Sequence, residues 1–392
     1  MRMESAHRPL LRVAAVTAGL ASGATHAAEW MLTPNVSASA QTQSNPSLQP
    51  DEKSKDEIAT GLATTAAFSV TRESERLSLA FKPNFSFYRY PDSNQLDRNE
   101  QHLDSSLKWR GETSTWSGSV AVARDTTLTS ELGNTGITQG NQRHEFHDVQ
   151  LGPTWQLTER WSTQASVGSS VNRYPGAASA FLEDYRYDSV GLGATYVVSE
   201  RASVSLSGSA ARLHNLEQGE DSKNASVTLT AQYAWSPVWN MNLGVGPSLV
   251  RLNGTSEHGL VYRASLSRGF ERSSLALAAT RSQQPSGSAI ITNIEQASLA
   301  FSTALAERMS GSLNASYSRR SNVFRAFNVD INRVTYTRLE AALSWRVSPS
   351  WQVGAGVGDS IQKTGSFFFD DRTGRGYDVR LSVSWNGKPY VH

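Results

Sequence analysis

The chain reads as all-β: a transmembrane antiparallel β-barrel of about eighteen strands, with sixteen as the alternative count, following a cleaved signal peptide. Three features carry that reading: an apolar/polar alternation, a recurring short turn, and the placement of tryptophan. The alternation is plainest from Leu151 to Val171. Leu151, Pro153, Trp155 and Leu157 share one parity, while Gly152, Thr154 and Gln156 take the other. After Thr158-Glu159-Arg160 it resumes, with Trp161, Ala165, Val167 and Val171 on one side and Ser162, Gln164, Ser166, Gly168 and Ser170 on the other. A period of two marks a strand, and two strands about a polar turn make a hairpin. Each arm is about ten residues long, enough for a tilted strand to cross a bilayer, and its second face suits water rather than a second core.

At the start of the chain, Arg2, Arg8 and Arg12 flank the apolar run Val13 to Leu20, and Ala24-Thr25-His26-Ala27 offers small residues for cleavage. This is the pattern of a secretory signal peptide, residues 1–27, leaving 28–392 as one outer-membrane barrel. No later run of about 18 apolar residues could form a membrane helix. With no Cys there is neither a disulfide framework nor a lipidated cysteine. At 38% hydrophobic the chain is poor in material for two soluble cores, whereas a barrel needs apolar residues only at alternate positions. The net charge of +2 and the absence of a basic cluster on one element point away from nucleic acid.

In order, the strands fall near residues 30–42, 57–71, 77–90, 101–110, 115–124, 143–157, 161–173, 185–198, 202–213, 223–235, 239–251, 259–269, 273–281, 293–305, 309–319, 333–347, 351–362 and 376–385. The connections alternate in length. Short ones run from Arg72 to Arg76, Gly111 to Ser114, Thr158 to Arg160, Ser199 to Arg201, Ser236 to Val238, Phe270 to Arg272, Ala306 to Arg308 and Ser348 to Ser350, most of them carrying Glu-Arg or Ser-Pro. Between them lie long polar segments: Asn45 to Asp56, Asp125 to Gln142, Tyr174 to Asp184, Ser282 to Thr292, Arg320 to Asn332 and Lys363 to Arg375. Short turns at one end and long loops at the other are the asymmetry of outer-membrane barrels, with the short turns and both termini in the periplasm.

Tryptophan sharpens the picture. Trp30, Trp109, Trp116, Trp155, Trp161, Trp235, Trp239, Trp345, Trp351 and Trp385 all fall at the short-turn ends of these strands, on the apolar parity. A core would scatter them; a ring at one level is expected of an interfacial girdle, with each indole N–H at the headgroups and its ring against acyl chains. Outer-membrane lipid and lipopolysaccharide are therefore expected partners.

The opposite parity defines the lumen. Ser203, Ser205, Ser207 and Ser209 are followed by Asn224, Ser226, Thr228, Thr230 and Gln232, then by Asn240, Asn242, Gly244, Gly246 and Ser248. Such side chains cannot fill a wide barrel, so a water-filled interior is expected, narrowed if the Asp125 to Gln142 loop folds inward. The inward ionisable residues are Lys82, His102, Asp104, Lys108, Arg110, Asp148, Arg263, Arg338, Glu340, Arg346, Asp378 and Arg380. Lys82, Lys108, Arg263, Arg338, Glu340, Arg346, Asp378 and Arg380 form a candidate charged rim that would favour anionic solutes such as sugar acids. The competing reading makes them Arg-to-carboxylate struts bracing the wall.

Other residues invite and resist chemical readings. If Trp155 stands opposite Trp161, then His147 stands opposite Ser169 on the lipid face, an arrangement similar to that of an outer-membrane phospholipase, though no orienting Asn accompanies it. Phe324, Phe327, Phe367, Phe368 and Phe369 suit an outer interfacial belt, or the packing of a loop against the barrel, better than a sugar-stacking surface. Asp370-Asp371 matches no calcium-loop spacing. No Gly-rich phosphate loop, zinc-ligand spacing or nucleophile elbow is present, so no catalytic residue, metal or cofactor is expected.

The strand-turn-strand units TWQLTERWSTQASVGSSVNRY, TYVVSERASVSLSGSAARL, STALAERMSGSLNASYSRR and LSWRVSPSWQVGAGVGDS resemble those of the outer-membrane barrels encoded with exopolysaccharide operons, the beta-barrel porin type 2 family. The resemblance implies a part in exopolysaccharide export beside periplasmic machinery. One departure is that Trp385 is followed by Asn386 to His392, where such barrels end on an aromatic residue. The alternatives are a general porin for small polar or anionic solutes and a plugged structural or adhesive barrel.

Overall fold

A computed structural model describes residues 29–49, 57–134, 141–176, 182–323, 332–366 and 369–391; the expected signal peptide lies outside them. Eighteen long strands follow one another: β1 (Glu29–Ser44), β2 (Ile58–Glu73), β3 (Leu77–Arg89), β4 (Arg98–Arg110), β5 (Ser114–Thr126), β6 (Arg143–Gln156), β7 (Trp161–Arg173), β8 (Tyr185–Ser199), β9 (Ala202–Asn215), β10 (Asp221–Ser236), β11 (Trp239–Leu252), β12 (Thr255–Gly269), β13 (Ser273–Pro285), β14 (Ile291–Ala306), β15 (Met309–Asn322), β16 (Asn332–Arg346), β17 (Trp351–Ser366) and β18 (Phe369–Asn386). Each pairs antiparallel with its neighbour in sequence, and β1 closes on β18 from Asn35↔Asn386 to Gln43↔Asp378. A two-residue β19 (Tyr390–Val391) extends the seam against Met31 and Leu32, so both described ends of the chain lie at the short-turn end. Closure leaves no strand edge, the condition for a sheet to stand in hydrocarbon. The sixteen-strand count is excluded.

Because the pleat sends alternate side chains to opposite faces, the apolar parity forms a continuous outer band. Leu192, Leu206, Leu229, Val245, Leu339 and Leu381 are each about half exposed or more on that outer face, which in water would be an aggregation surface and in a bilayer is solvated.

Two boundaries differ from those read in the sequence. The strands run 13 to 18 residues, several of them longer than the stretch of alternation that marks them, and the segment Lys363 to Arg375 is mostly strand, with Lys363 opposite Thr373. The β11–β12 connection is only Asn253-Gly254, both at positive φ, as a two-residue hairpin turn requires. Beyond the bilayer both faces of a strand meet water, so apolar alternation fades while backbone pairing continues.

The short turns hold themselves together. At β6–β7, Thr158 Oγ1 accepts from the backbone N–H of Arg160 and Trp161, and the Leu157 N–H donates to the Trp161 carbonyl at 2.9 Å. Leu157 therefore faces Trp161, Trp155 pairs with Thr163, and Val149, not His147, pairs with Ser169. A three-residue turn shifts the register by two, which keeps the faces and moves every partner. The His147–Ser169 juxtaposition is thereby lost; Ser169 instead donates to Asp188 at 2.6 Å.

Candidate functional site

The candidate site is the inside of the barrel, built from a wall and a mouth. On β16 to β18 the wall carries Arg338, Glu340, Asp378 and Arg380, all on the inward parity expected of them. Arg338 Nη2 lies 3.0 Å from Asp378 Oδ1 and its Nε 3.4 Å from Glu340 Oε2, while Arg380 Nη2 lies 3.0 Å from Glu340 Oε1. Arg338 Nη1 also donates to Ser360 Oγ at 3.1 Å. These pairs reach across β17, and Gly358 makes the crossing possible: a Cβ there would stand 2.4 Å from Asp378 Oδ1 and 3.1 Å from Arg338 Nη2. Two arginines and two carboxylates stand within ion-pair reach of one another, which is the geometry of the struts. The reason lies in the glycine at 358, which brings β16 and β18 side chains into reach; charge counting along one strand misses it.

The other inward cations behave differently. Lys82, Lys108, Arg263 and Arg346 are exposed to the lumen, and none has a side-chain hydrogen bond or ion pair among the described residues. Lys82 stands across from Asp104 in the register without a bridge to it. Arg263 borders an inward bay of about 520 Å³ lined by Ser207, Asn224, Thr228, Thr280 and Gln296. A basic excess over small hydroxyl and amide side chains raises local anion concentration in a wet channel.

The mouth, at the long-loop end, is where most of the fully buried side chains gather. Tyr185, Leu213, Val250 and Ile291, from the ends of β8, β9, β11 and β14, cluster with Tyr174, Leu182, Ala289 and Val323 from the connecting segments. A second cluster joins Ala59, Tyr90 and Leu96, with Leu128 packed against it. Leu128 belongs to a short helix, α1 (Thr127–Asn134), in the β5–β6 connection, as the expected inward loop requires. Leu128 also lines a cavity of about 190 Å³ with Arg98, Arg338 and Asp378. One helical turn on, buried Glu131 accepts from Tyr174 Oη at 2.6 Å and lies under Gly287, where a Cβ would meet its Cδ at 3.3 Å. Burial first, then the Glu131 carboxylate, pushes the Tyr174 hydroxyl far above the tyrosine range, so it stays a hydrogen-bond donor.

The β1–β2 connection also turns inward. Asn45 and Leu48 adopt positive φ, and the Leu48 carbonyl lies where a Cβ on Gly374 would be, at 1.9 Å. Glycine at 374 is therefore needed for that segment to rest on β18. Around the mouth, Arg98 pairs with Glu100 at 2.8 Å, Thr129 of α1 donates to the same carboxylate, and His144 sits between Asp125 at 2.8 Å and Asn172 at 3.0 Å. Arg320 is buried with Nε and Nη1 lacking a partner among the described residues.

The ten tryptophans lie at the short-turn ends; Trp109, Trp116, Trp155, Trp161, Trp235, Trp345 and Trp351 are more than a third exposed on the outer face. Trp30 and Trp239 are covered by the guanidinium groups of Arg72 and Arg268 at 5.4 and 4.7 Å, and Trp385 pairs with Val36 at the seam. Phe324, Phe327, Phe367 and Phe368, and the side chains of Phe369, Asp370 and Asp371, lie outside what the structure describes. Sequence reading missed α1's role through Glu131, the Tyr174 and His144 contacts, Gly358 and Arg320. Glu131 and Tyr174 are joined only by tertiary folding, and the one available signal was glycine alternating with small residues on β17.

No protein-family model matches the chain, and no curated protein sequence does, so the resemblance to the type 2 porins rests on the turn repeats alone. Among solved structures, the chain is similar to Acinetobacter baumannii OccAB4, at 9% identity and TM-score 0.49, covering 93% of this chain and 99% of that one. It is similar to Pseudomonas aeruginosa OccK2 (OpdF) in complex with glucuronate, at 12% identity and TM-score 0.48, covering 92% and 97%. Pseudomonas aeruginosa OpdK with vanillate matches at 12% identity and TM-score 0.48, covering 93% and 99%.

Proposed function

We propose that this chain is an outer-membrane porin-type conduit for small polar solutes, with a preference for anions, oriented with its long connections outside and its short turns and termini in the periplasm. The observation that carries the reading is the contrast inside the barrel. Most of the wall is lined by small polar residues with unpartnered Lys82, Lys108, Arg263 and Arg346, while the mouth is narrowed by α1 and the β1–β2 segment. A wet tube beneath a narrow polar entrance sorts solutes by size and charge. Outward tryptophans at the short-turn end and the half-exposed leucines above them support membrane placement.

A polysaccharide chain in export would need a continuous wide passage, and the packing of Leu128, Leu96 and Tyr90 within the mouth favours the smaller solute. Swelling of liposomes holding the purified protein distinguishes the two. Entry of a monosaccharide acid faster than the neutral sugar of the same size, with an oligosaccharide excluded, is the expected result. Equal permeation by long oligosaccharides would return the export reading, and no permeation at all would leave a plugged structural barrel.

A further inference from the structure

The outer face of β8 to β11 carries a feature that solute passage does not use. In register across adjacent strands stand Asp188, Arg212, Lys223 and Arg251, in one row at the long-loop end. Arg212, Lys223 and Arg251 are thus cross-strand neighbours of like charge, an arrangement that costs stability in a sheet unless an anion is shared. The carboxylates nearby do not reach Lys223 or Arg251: Asp188 is held by Arg186 at 2.9 Å and Ser169, and Asp221 by Arg212 of the row at 2.5 Å and His214 at 2.8 Å. Lys223 has no side-chain partner among the described residues, and Arg251 has only Ser256 Oγ at 3.3 Å. Two other outward cations at this end are matched by carboxylates, Arg281 with Glu295 and Arg375 with Asp359.

Beneath this row the wall is hollowed. Gly208, Ala210 and Ala225, on β9 and β10, lie between bulkier Val190 and Leu192 on β8 and Leu249 on β11. The result is an open trough of about 490 Å³ on the lipid face, continuous with one of about 770 Å³ bordered by Arg186, Arg212, Lys223 and Arg251. Three strand spacings separate β8 from β11, about 14 Å, room for acyl chains side by side. Lys223 is 12 residues from Trp235 along β10, and Arg251 is 12 from Trp239 along β11. At the rise and tilt of barrel strands that is about 30 Å, so the row stands at the headgroup level opposite the tryptophans.

We infer that this trough is a binding site for a phosphorylated, multiply acylated lipid of the outer leaflet, with phosphate on Arg212, Lys223 and Arg251 and acyl chains over Gly208, Ala210 and Ala225. Charge complementarity selects the phosphate: beside Arg212, which Asp221 already engages, Lys223 and Arg251 offer charge-assisted donors that no carboxylate among the described residues takes up. The trough below selects a lipid over a free anion. This inference rests on the orientation with the long connections outside and not on which solute passes through the lumen.

The test uses the full mature chain in zwitterionic phosphatidylcholine nanodiscs, titrated with bis-phosphorylated hexa-acyl lipid A and read by native mass spectrometry. One tightly held lipid per barrel is expected, with affinity falling about tenfold or more in Lys223→Gln/Arg251→Gln and with dephosphorylated lipid A. Ala210→Leu, which fills the trough and leaves the charges, should weaken binding as well. It keeps the test open if the double variant assembles poorly. Equal binding by wild type and both variants would overturn the site. So would displacement by inorganic phosphate, or equal affinity for two-chain phosphatidylglycerol, since either would mean that charge alone is being read.

Discussion

The two ends of the barrel are built by opposite rules. At the short-turn end the large side chains point outward: Trp155, Trp161, Trp235 and Trp345 face away from the lumen, and inward positions such as Ser203 and Asn240 stay small and polar. At the mouth the large side chains point inward, and Tyr185, Leu213, Val250 and Tyr90 are nearly or fully buried among loop residues. One strand shows both. On β9, Leu206 is 55% exposed on the outer face and Leu213 is 1% exposed within the mouth, seven residues apart and on opposite parity. Lipid solvates the first and protein packs the second, so the same residue type is held by different media.

That contrast is broken most severely in the mouth. Leu213→Ala should destabilise the barrel by about 2–5 kcal/mol, because a buried leucine leaves a cavity, while Leu206→Ala exchanges lipid contact for lipid contact and costs far less. Urea unfolding in lipid vesicles measures both, and equal losses would mean that the mouth is not a packed core. Next in size is Val167→Arg on the lipid face of β7, expected to cost about 2–4 kcal/mol near mid-bilayer, against little for Ser166→Arg one position along. Similar damage from the two would undo the assignment of faces.

Smaller effects concern the contacts that set the entrance. Tyr174→Phe removes the donor to Glu131 and leaves a buried carboxylate short of a hydrogen bond, a loss of about 1–3 kcal/mol. Because that bond anchors α1, single-channel recordings of the variant should show larger or noisier conductance; an unchanged trace would mean that α1 does not border the path. Least of all, Arg338→Ser/Arg380→Ser should remove struts worth about 1 kcal/mol or less apiece, since these side chains are partly exposed, and should hardly move ion preference. A strong shift toward cations would restore these two arginines to the selectivity rim.

The wall was legible in the sequence and the mouth largely was not. Period-two alternation located all eighteen strands, and the Glu-Arg and Ser-Pro turns fixed which ends lie together, because a bilayer forces a repeating outer face that local pattern can report. Where the strands leave the bilayer that pressure stops, which is why Lys363 to Ser366 and Phe369 to Arg375 passed for loop. Register is subtler still. The Thr158 to Arg160 turn was evident, yet which residue closed it was not, and a two-residue offset separated His147 from Ser169. Arg338, Glu340, Asp378 and Arg380 share the parity read for them, but their pairing depends on Gly358 of the intervening β17, which no single-strand pattern includes. The contact of Glu131 with Tyr174 joins segments 43 residues apart and left no periodic trace.

The central claim is that unpartnered cations on the wall, rather than the braced quartet on β16 to β18, set the charge preference of an open lumen. The reversal potential of the purified protein in a planar bilayer under a potassium chloride gradient tests it most directly. Wild type should conduct with a preference for chloride, and Lys108→Gln/Arg263→Gln/Arg346→Gln should move the reversal potential toward cation preference while keeping the channel open. A silent wild-type barrel, or a triple variant with the wild-type potential, would contradict the account.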